Sequence, residues 1–237
     1  MNAYILNNNT LIFWTPKCAC TSLYNITQQV RNIKCARYGK EIYRKIDSKN
    51  IGSFDIYKKI FLMRNPYDRI VSAYINKFVY HPDNGYLDEF GKLENFAQDL
   101  LKKSPTLYLS NGQYVGISFN EFIELVSKHY DMSDHWNKQK KINNINFDYI
   151  IHVENLQSEL KRTFNELKIP IGFNIPHNNK SNYGMNYGDV DLSNIKSLDI
   201  INNHMMSLNK NNLLNENNKN YLYKIYKDDF ELGGYSI

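Results

Sequence analysis

Three times along this chain a short run of β-branched and aromatic residues stops at a turn signal and gives way to apolar residues at helical spacing. That recurrence restricts the fold more than any other feature. The first run, Leu11 to Trp14, is closed by Thr15 and Pro16; Thr21 and Ser22 then suit a helix start, and Leu23, Ile26 and Val30 recur along one face up to about Arg31. It reads as the first strand of the chain. The second run, Ile60 to Met63, leads into Arg64, Asn65 and Pro66, and proline is favoured in a first helical turn; Ile70, Val71, Tyr74 and Phe78 continue that helix. The third is FDYIIHV, Phe147 to Val153, followed by Leu156, Leu160, Phe164 and Leu167 on a helix over 154–168. Strands that are apolar throughout have no wet face, and repeated strand, turn and helix units bury them in a parallel sheet under helices. The expected class is therefore α/β, a three-layer sandwich around a central parallel sheet, in a single domain over 1–237.

The intervening segments are less regular. Residues 32–59 admit only a short strand or helix; helical patterns cover about 87–103 and 120–130 with a Ser, Pro, Asn and Gly loop between them; 170–190 is an Asn- and Gly-rich surface loop. From Ile195 the pattern is helical again and stops at Gly233 and Gly234. Hydrophobic residues at 42% and aromatics at 14% supply a sizeable core. A formal charge of +5, spread along the chain with one cluster at Lys138, Lys140 and Lys141, suits an anionic nucleotide or acidic glycan and does not call for nucleic acid. Cys18, Cys20 and Cys35 match no zinc spacing and are read as free thiols. The start, MNAYILNNNTLIFW, has neither a basic nor an apolar leader region, and no stretch approaches the ~18 apolar residues of a membrane span, so a cytoplasmic location without an integral membrane segment is expected.

Two constellations carry chemistry. PKCACTSL, Pro16 to Leu23, lies where a buried strand gives way to a helix, so free backbone N–H groups converge on the loop. Lys17 adds a full charge and Thr21 and Ser22 add hydroxyls, which together form an anion cradle. It lacks the glycines of a Walker A loop and places its lysine early, which fits a nucleotide kinase poorly. A blander reading is a lysine beside a helix capped by Thr21. RNPYDRIVSAY, Arg64 to Tyr74, again follows a strand; Arg64 before the helix and Ser72 two turns in can hold a terminal phosphate between a guanidinium fork and a hydroxyl. Asp68 and Arg69 are read as a structural ion pair or helix-end contact.

In that order, PKCACTSL and RNPYDRIVSAYINKF resemble the 5'-phosphosulfate and 3'-phosphate motifs of sulfotransferases dependent on 3'-phosphoadenosine 5'-phosphosulfate (PAPS). DHWNKQKK (Asp134 to Lys141), FDYIIHVENL (Phe147 to Leu156) and the C-terminal YKDDFELGGY are similar to the carbohydrate branch that includes the chondroitin, dermatan and HNK-1 sulfotransferases. The resemblance implies a P-loop-like phosphosulfate-binding strand, loop and helix. It implies that Lys17, Thr21 and Ser22, with the backbone of Cys18, Ala19 and Cys20, hold the 5'-phosphosulfate, and that Arg64 and Ser72 grip the 3'-phosphate. It further implies PAPS as donor, the desulfated 3'-phosphoadenosine 5'-phosphate (PAP) as product and a carbohydrate hydroxyl as acceptor. The luminal anchor and additional cysteines of animal enzymes of this branch are not seen in this sequence.

In-line sulfuryl transfer needs charge stabilisation at the leaving phosphate, a task for Lys17 and the loop amides, and no acidic motif calls for a metal. A base must take the acceptor proton. His135 is the first candidate, with Trp136 beside it suited to stacking on a sugar; Glu41, Asp47 and Glu154 are alternatives. In PHNNKSNYG, Pro176 to Gly184, Lys180 with Ser181 is read as closing over the nucleotide or contacting an anionic acceptor, against the alternative of a solvated turn. The competing functions are a phosphate-loop nucleotide kinase and a catalytically silent nucleotide- or glycan-binding protein.

Overall fold

A computed structural model of the chain describes every residue except 8, 82–84, 87–92, 105–108, 111–112, 115, 144, 171–189, 204–207, 209 and 237. In chain order the elements are β1 (Asn2–Asn7), β2 (Thr10–Trp14), α1 (Cys20–Arg31), β3 (Tyr43–Lys45), β4 (Lys58–Met63), α2 (Pro66–Tyr74), the two-residue strands β5 (Tyr80–His81) and β6 (Gly85–Tyr86), α3 (Asn95–Leu101), the two-residue β7 (Leu109–Ser110) and β8 (Gln113–Tyr114), α4 (Phe119–His129), β9 (Tyr149–His152), α5 (Leu156–Glu166), α6 (Ser197–Asn203) and α7 (Glu216–Gly233). Contacts gather them into two compact units: 1–65, 139–180 and 231–235 in the first, and 66–138, 181–230 and 236–237 in the second.

The first unit is built on a five-stranded sheet of order β3-β1-β2-β4-β9. The α/β class is as expected, and β2, β4 and β9 run parallel in register Ile12↔Ile60 and Ile60↔Tyr149. The sheet as a whole is mixed, because β1 is antiparallel to both β2 and β3. Leu11–Trp14 is thus the second strand and not the first. The run NAYILN pairs back on it as a hairpin, and its four apolar residues are hidden in the sequence between asparagines. Period-two burial then makes two cores. Tyr4, Leu6, Ile12, Trp14, Ile60, Leu62 and Ile151 face one side, where they meet Leu23 and Ile26 of α1 and Leu156, Leu160 and Phe164 of α5. Ala3, Ile5, Leu11, Phe13, Phe61 and Met63 face the other, closed by Ile46, Ile142 and Ile145 with Phe147 and Leu232 packed on them. Strands buried on both faces explain why β4 reads as an unbroken apolar run.

The second unit is helical and aromatic. Tyr74 of α2, Phe78, Phe119 and Phe122 of α4, and Trp136 are all fully buried, with Tyr74 and Phe119 centroids 5.1 Å apart and Phe78 and Phe122 5.2 Å apart. The helix at Pro66 starts where proline predicted, but beyond Tyr74 it widens into a π-helical turn over Ile75–Val79. Within the expected 87–103 helix the described residues are helical only over Asn95–Leu101. α4 begins with a capping box: Ser118 Oγ accepts from Glu121 N–H and the Glu121 carboxylate accepts from Ser118 N–H at 2.7 Å. The 170–190 loop expected from sequence lies, over 171–189, outside the described residues. Among the described residues no helix is long and apolar enough to cross a membrane.

Two measurements check this architecture. Ser118→Ala is expected to lower unfolding free energy by about 1 kcal/mol in a urea titration, the cost of an N-cap. Burial opposes ionisation of Glu121, but the Lys196 ammonium at 2.7 Å and the Ser118 N–H outweigh it and hold its carboxyl below the usual range. A carboxyl lowered by folding stabilises above its unfolded pKa and ceases to do so as pH falls through its folded one. The stability gap between wild type and Glu121→Gln is therefore expected to be full above about pH 4.5 and to close under stronger acid.

Candidate active site

The three parallel strands deliver their C-terminal ends to one edge of the first unit, where ligands bind in sheets of this kind. After β2 the chain enters the loop Thr15 to Ala19 with Lys17 at φ 69° and Ala19 at φ 50°. A non-glycine residue in this region costs about 1 kcal/mol, and two of them flanking Cys18 persist only where neighbours fix them. Alternating backbone handedness turns successive N–H groups toward one concavity, which suits an anion. Ala19 is the N-cap of α1 and has no side chain to accept from the first turn, so the positive end of the helix opens on the same loop. Thr21 lies inside that turn and is not the cap, contrary to the blander reading of the sequence. Lys17 and Thr21 are half-buried, Ser22 is buried, and the three cysteines are free thiols as expected.

Arg64, next after β4, meets this loop directly: its Nη1 donates to the carbonyl of Lys17 at 3.1 Å. A second connection was not legible in the sequence. Gln139, fully buried, accepts at Oε1 from Arg64 N–H at 3.0 Å and from the Cys18 thiol at 3.2 Å, while its Nε2 donates to the Arg64 carbonyl at 2.9 Å. The only available signal was one amide among lysines in NKQKK, a pattern that looks solvent-facing. The loop after β4 is tied to β9 as well. Glu154 accepts from Asn65 N–H at 2.7 Å and from the Tyr235 hydroxyl at 3.1 Å. Burial, reinforced by the Glu154 carboxylate, pushes the Tyr235 phenol up and keeps it a donor. Both Glu154 oxygens are engaged in backbone and phenol contacts. Asp47 accepts from the N–H groups of Lys49 and Asn50 and shapes a turn, and Glu41 is exposed.

Ser72 and His135 belong to the second unit. Ser72 is buried on α2. His135 stacks on Phe96 at 4.6 Å with the planes 6° apart, and Ser133 Oγ lies 3.2 Å from its Nδ1. Lys77, buried and paired to Glu94 at 2.7 Å, sits 5.6 Å from the same Phe96 ring centre. Arg69 is not paired with Asp68. It is buried and donates to the carbonyls of Asp134 and Asn137 at 2.8 Å, which frames the His135 segment, while Asp68 pairs with Lys210 at 3.0 Å. Trp136 cannot stack on a sugar in this arrangement, because it is fully buried against Phe122 and Phe96. An indole is the largest apolar group that a small core can claim. Lys180 lies outside the described residues.

A cavity of about 300 Å³ lined by Asp55, Tyr57, Lys59 and Asp148 sits at the opposite end of β4 from Arg64 and includes none of the predicted residues. Among the described residues no group of three or more His, Cys, Asp or Glu side chains is placed to hold a metal ion.

Residues 6–236 match the model of the sulfotransferase family. The chain is 30% identical over 151 residues to carbohydrate sulfotransferase 9 of Homo sapiens, an alignment that covers 59% of this chain and 31% of that relative's length. No solved structure matches it. With the match running across nearly the whole chain, the segments 16–23 and 64–74 included, the protein belongs to the sulfotransferase family.

Proposed function

We propose that this protein transfers a sulfuryl group from PAPS to a hydroxyl of a carbohydrate, by in-line displacement. The observation that carries the reading is the loop after β2: two left-handed residues, an N-cap without a side-chain acceptor and Lys17 together make a site for a multiply charged anion. The donor class follows from the family, and the carbohydrate acceptor from the name of the human relative. The family match also spans both compact units, which supports reading them as parts of one sulfotransferase domain.

In this reading Lys17 and the N–H groups from Cys18 to Ser22 neutralise charge on the transferred oxygens and on the leaving 5'-phosphate. The acceptor oxygen forms its bond to sulfur as the sulfur bond to that phosphate breaks. Arg64 and Ser72 bind the 3'-phosphate, and Lys180 adds a further contact to the nucleotide. His135, held by Ser133 and the Phe96 ring, takes the proton of the acceptor hydroxyl.

Calorimetric titration with PAP, without added metal, tests the nucleotide site. Tight binding is expected for wild type, weakened about 10- to 100-fold in Lys17→Ala and in Arg64→Ala, the range for losing a charge-assisted hydrogen bond. Binding of ATP with magnesium in place of PAP would replace the proposal with a kinase-like one. His135→Ala is expected to bind PAP as wild type does and to transfer sulfuryl to a glycan acceptor roughly 10²- to 10⁴-fold more slowly. An unchanged transfer rate would remove His135 from the chemistry, and wild-type binding without any turnover would make the protein a silent receptor.

A further inference from the structure

We infer that Gln139 is a positioning residue that holds the β2 loop in its anion-ready conformation and couples it to Arg64. The inference rests on the nucleotide reading above for its consequence, and on geometry for its substance. The orientation of the amide is dictated by the backbone it faces: Arg64 N–H can only donate and Arg64 C=O can only accept, so Oε1 and Nε2 are fixed. With Oε1 so placed, the Cys18 thiol donates to it, which leaves the Cys18 sulfur to receive the Thr15 hydroxyl at 3.3 Å. Arg64 Nη1 closes the circuit on the carbonyl of Lys17, the residue before Cys18. The loop is thus held at adjacent residues from one point beyond β4, on either side of the Lys17 and Cys18 peptide. Cys18 is the residue between the two left-handed positions, so its side chain is where a restraint fixes that backbone most directly. All of these groups are in the first unit, and Cys18 and Gln139 are fully buried, so the bond between them is sheltered from water.

Gln139→Leu removes every polar contact at similar volume, and Gln139→Glu offers an internal control. In the latter variant an ionised carboxylate would accept from Arg64 N–H and Cys18 but confront the Arg64 carbonyl without a proton. The protonated acid would reproduce the glutamine pattern, and burial raises a carboxyl's pKa. PAP affinity relative to wild type is expected to drop about tenfold in Gln139→Leu at every pH, the cost of unpaired buried groups. For Gln139→Glu it should drop at least as far at pH 8 and recover toward wild type near pH 5.5. Residues that merely support the fold would not give that pH-dependent recovery. Alkylation of Cys18 by iodoacetamide, followed by peptide mass spectrometry without nucleotide, reads the brace itself: Cys18 is expected to be protected in wild type and modified at least tenfold faster in both variants at pH 8. Variants with wild-type PAP affinity or wild-type Cys18 protection would overturn the inference. Absence of PAP binding by wild type would instead sink the nucleotide reading, while the alkylation rates would still decide whether Gln139 holds the loop.

Discussion

The site depends on the parallel pairing of β2 with β4, because that pairing sets the loops after the two strands side by side. Each loop alone is a weak device. The first holds left-handed backbone at Lys17 and Ala19 that an isolated peptide would rarely adopt, and the second is a short Arg-Asn-Pro turn. Joined at the strand ends, Arg64 reaches the Lys17 carbonyl and Gln139 spans both, so backbone strain in one loop is held by hydrogen bonds from the other. The two-faced apolar sheet beneath them supplies the rigidity that such an arrangement needs.

This arrangement also explains how a loop with left-handed backbone can form without glycines. In a Walker A sequence glycine makes positive φ inexpensive. Here an alanine and a lysine take those positions, and tertiary bonds to Cys18 and Lys17 meet the conformational cost. Lys17 stands in the loop before α1, and not at the helix start as in a Walker A sequence. Arg64 donates from Nη1 to the Lys17 carbonyl and so anchors the loop after β2 from the end of β4.

The second unit shows how burial reassigns residues that look functional. DHW reads as an acid, a base and a sugar platform in a row, yet Trp136 is consumed by the aromatic core with Phe122, and Arg69 spends its guanidinium on the carbonyls of Asp134 and Asn137. His135 keeps a half-buried setting, stacked on Phe96, which in turn lies by the buried Lys77 and Glu94 pair. A single residue of offset along that segment thus separates a core group from a candidate base.

The sequence by itself determined the α/β class, the strand, loop and helix units at Leu11, Ile60 and Phe147, and the helix starts near Cys20 and Pro66. Each of these is written in local apolar periodicity, turn residues and helix-end chemistry. It did not determine the antiparallel β1, whose short apolar run is masked by asparagines, nor that Gln139 would be the buried link to Cys18, 121 residues away. Such contacts depend on which loops the sheet sets adjacent, and an amide in a lysine-rich stretch carries no mark of its burial until the strands are paired.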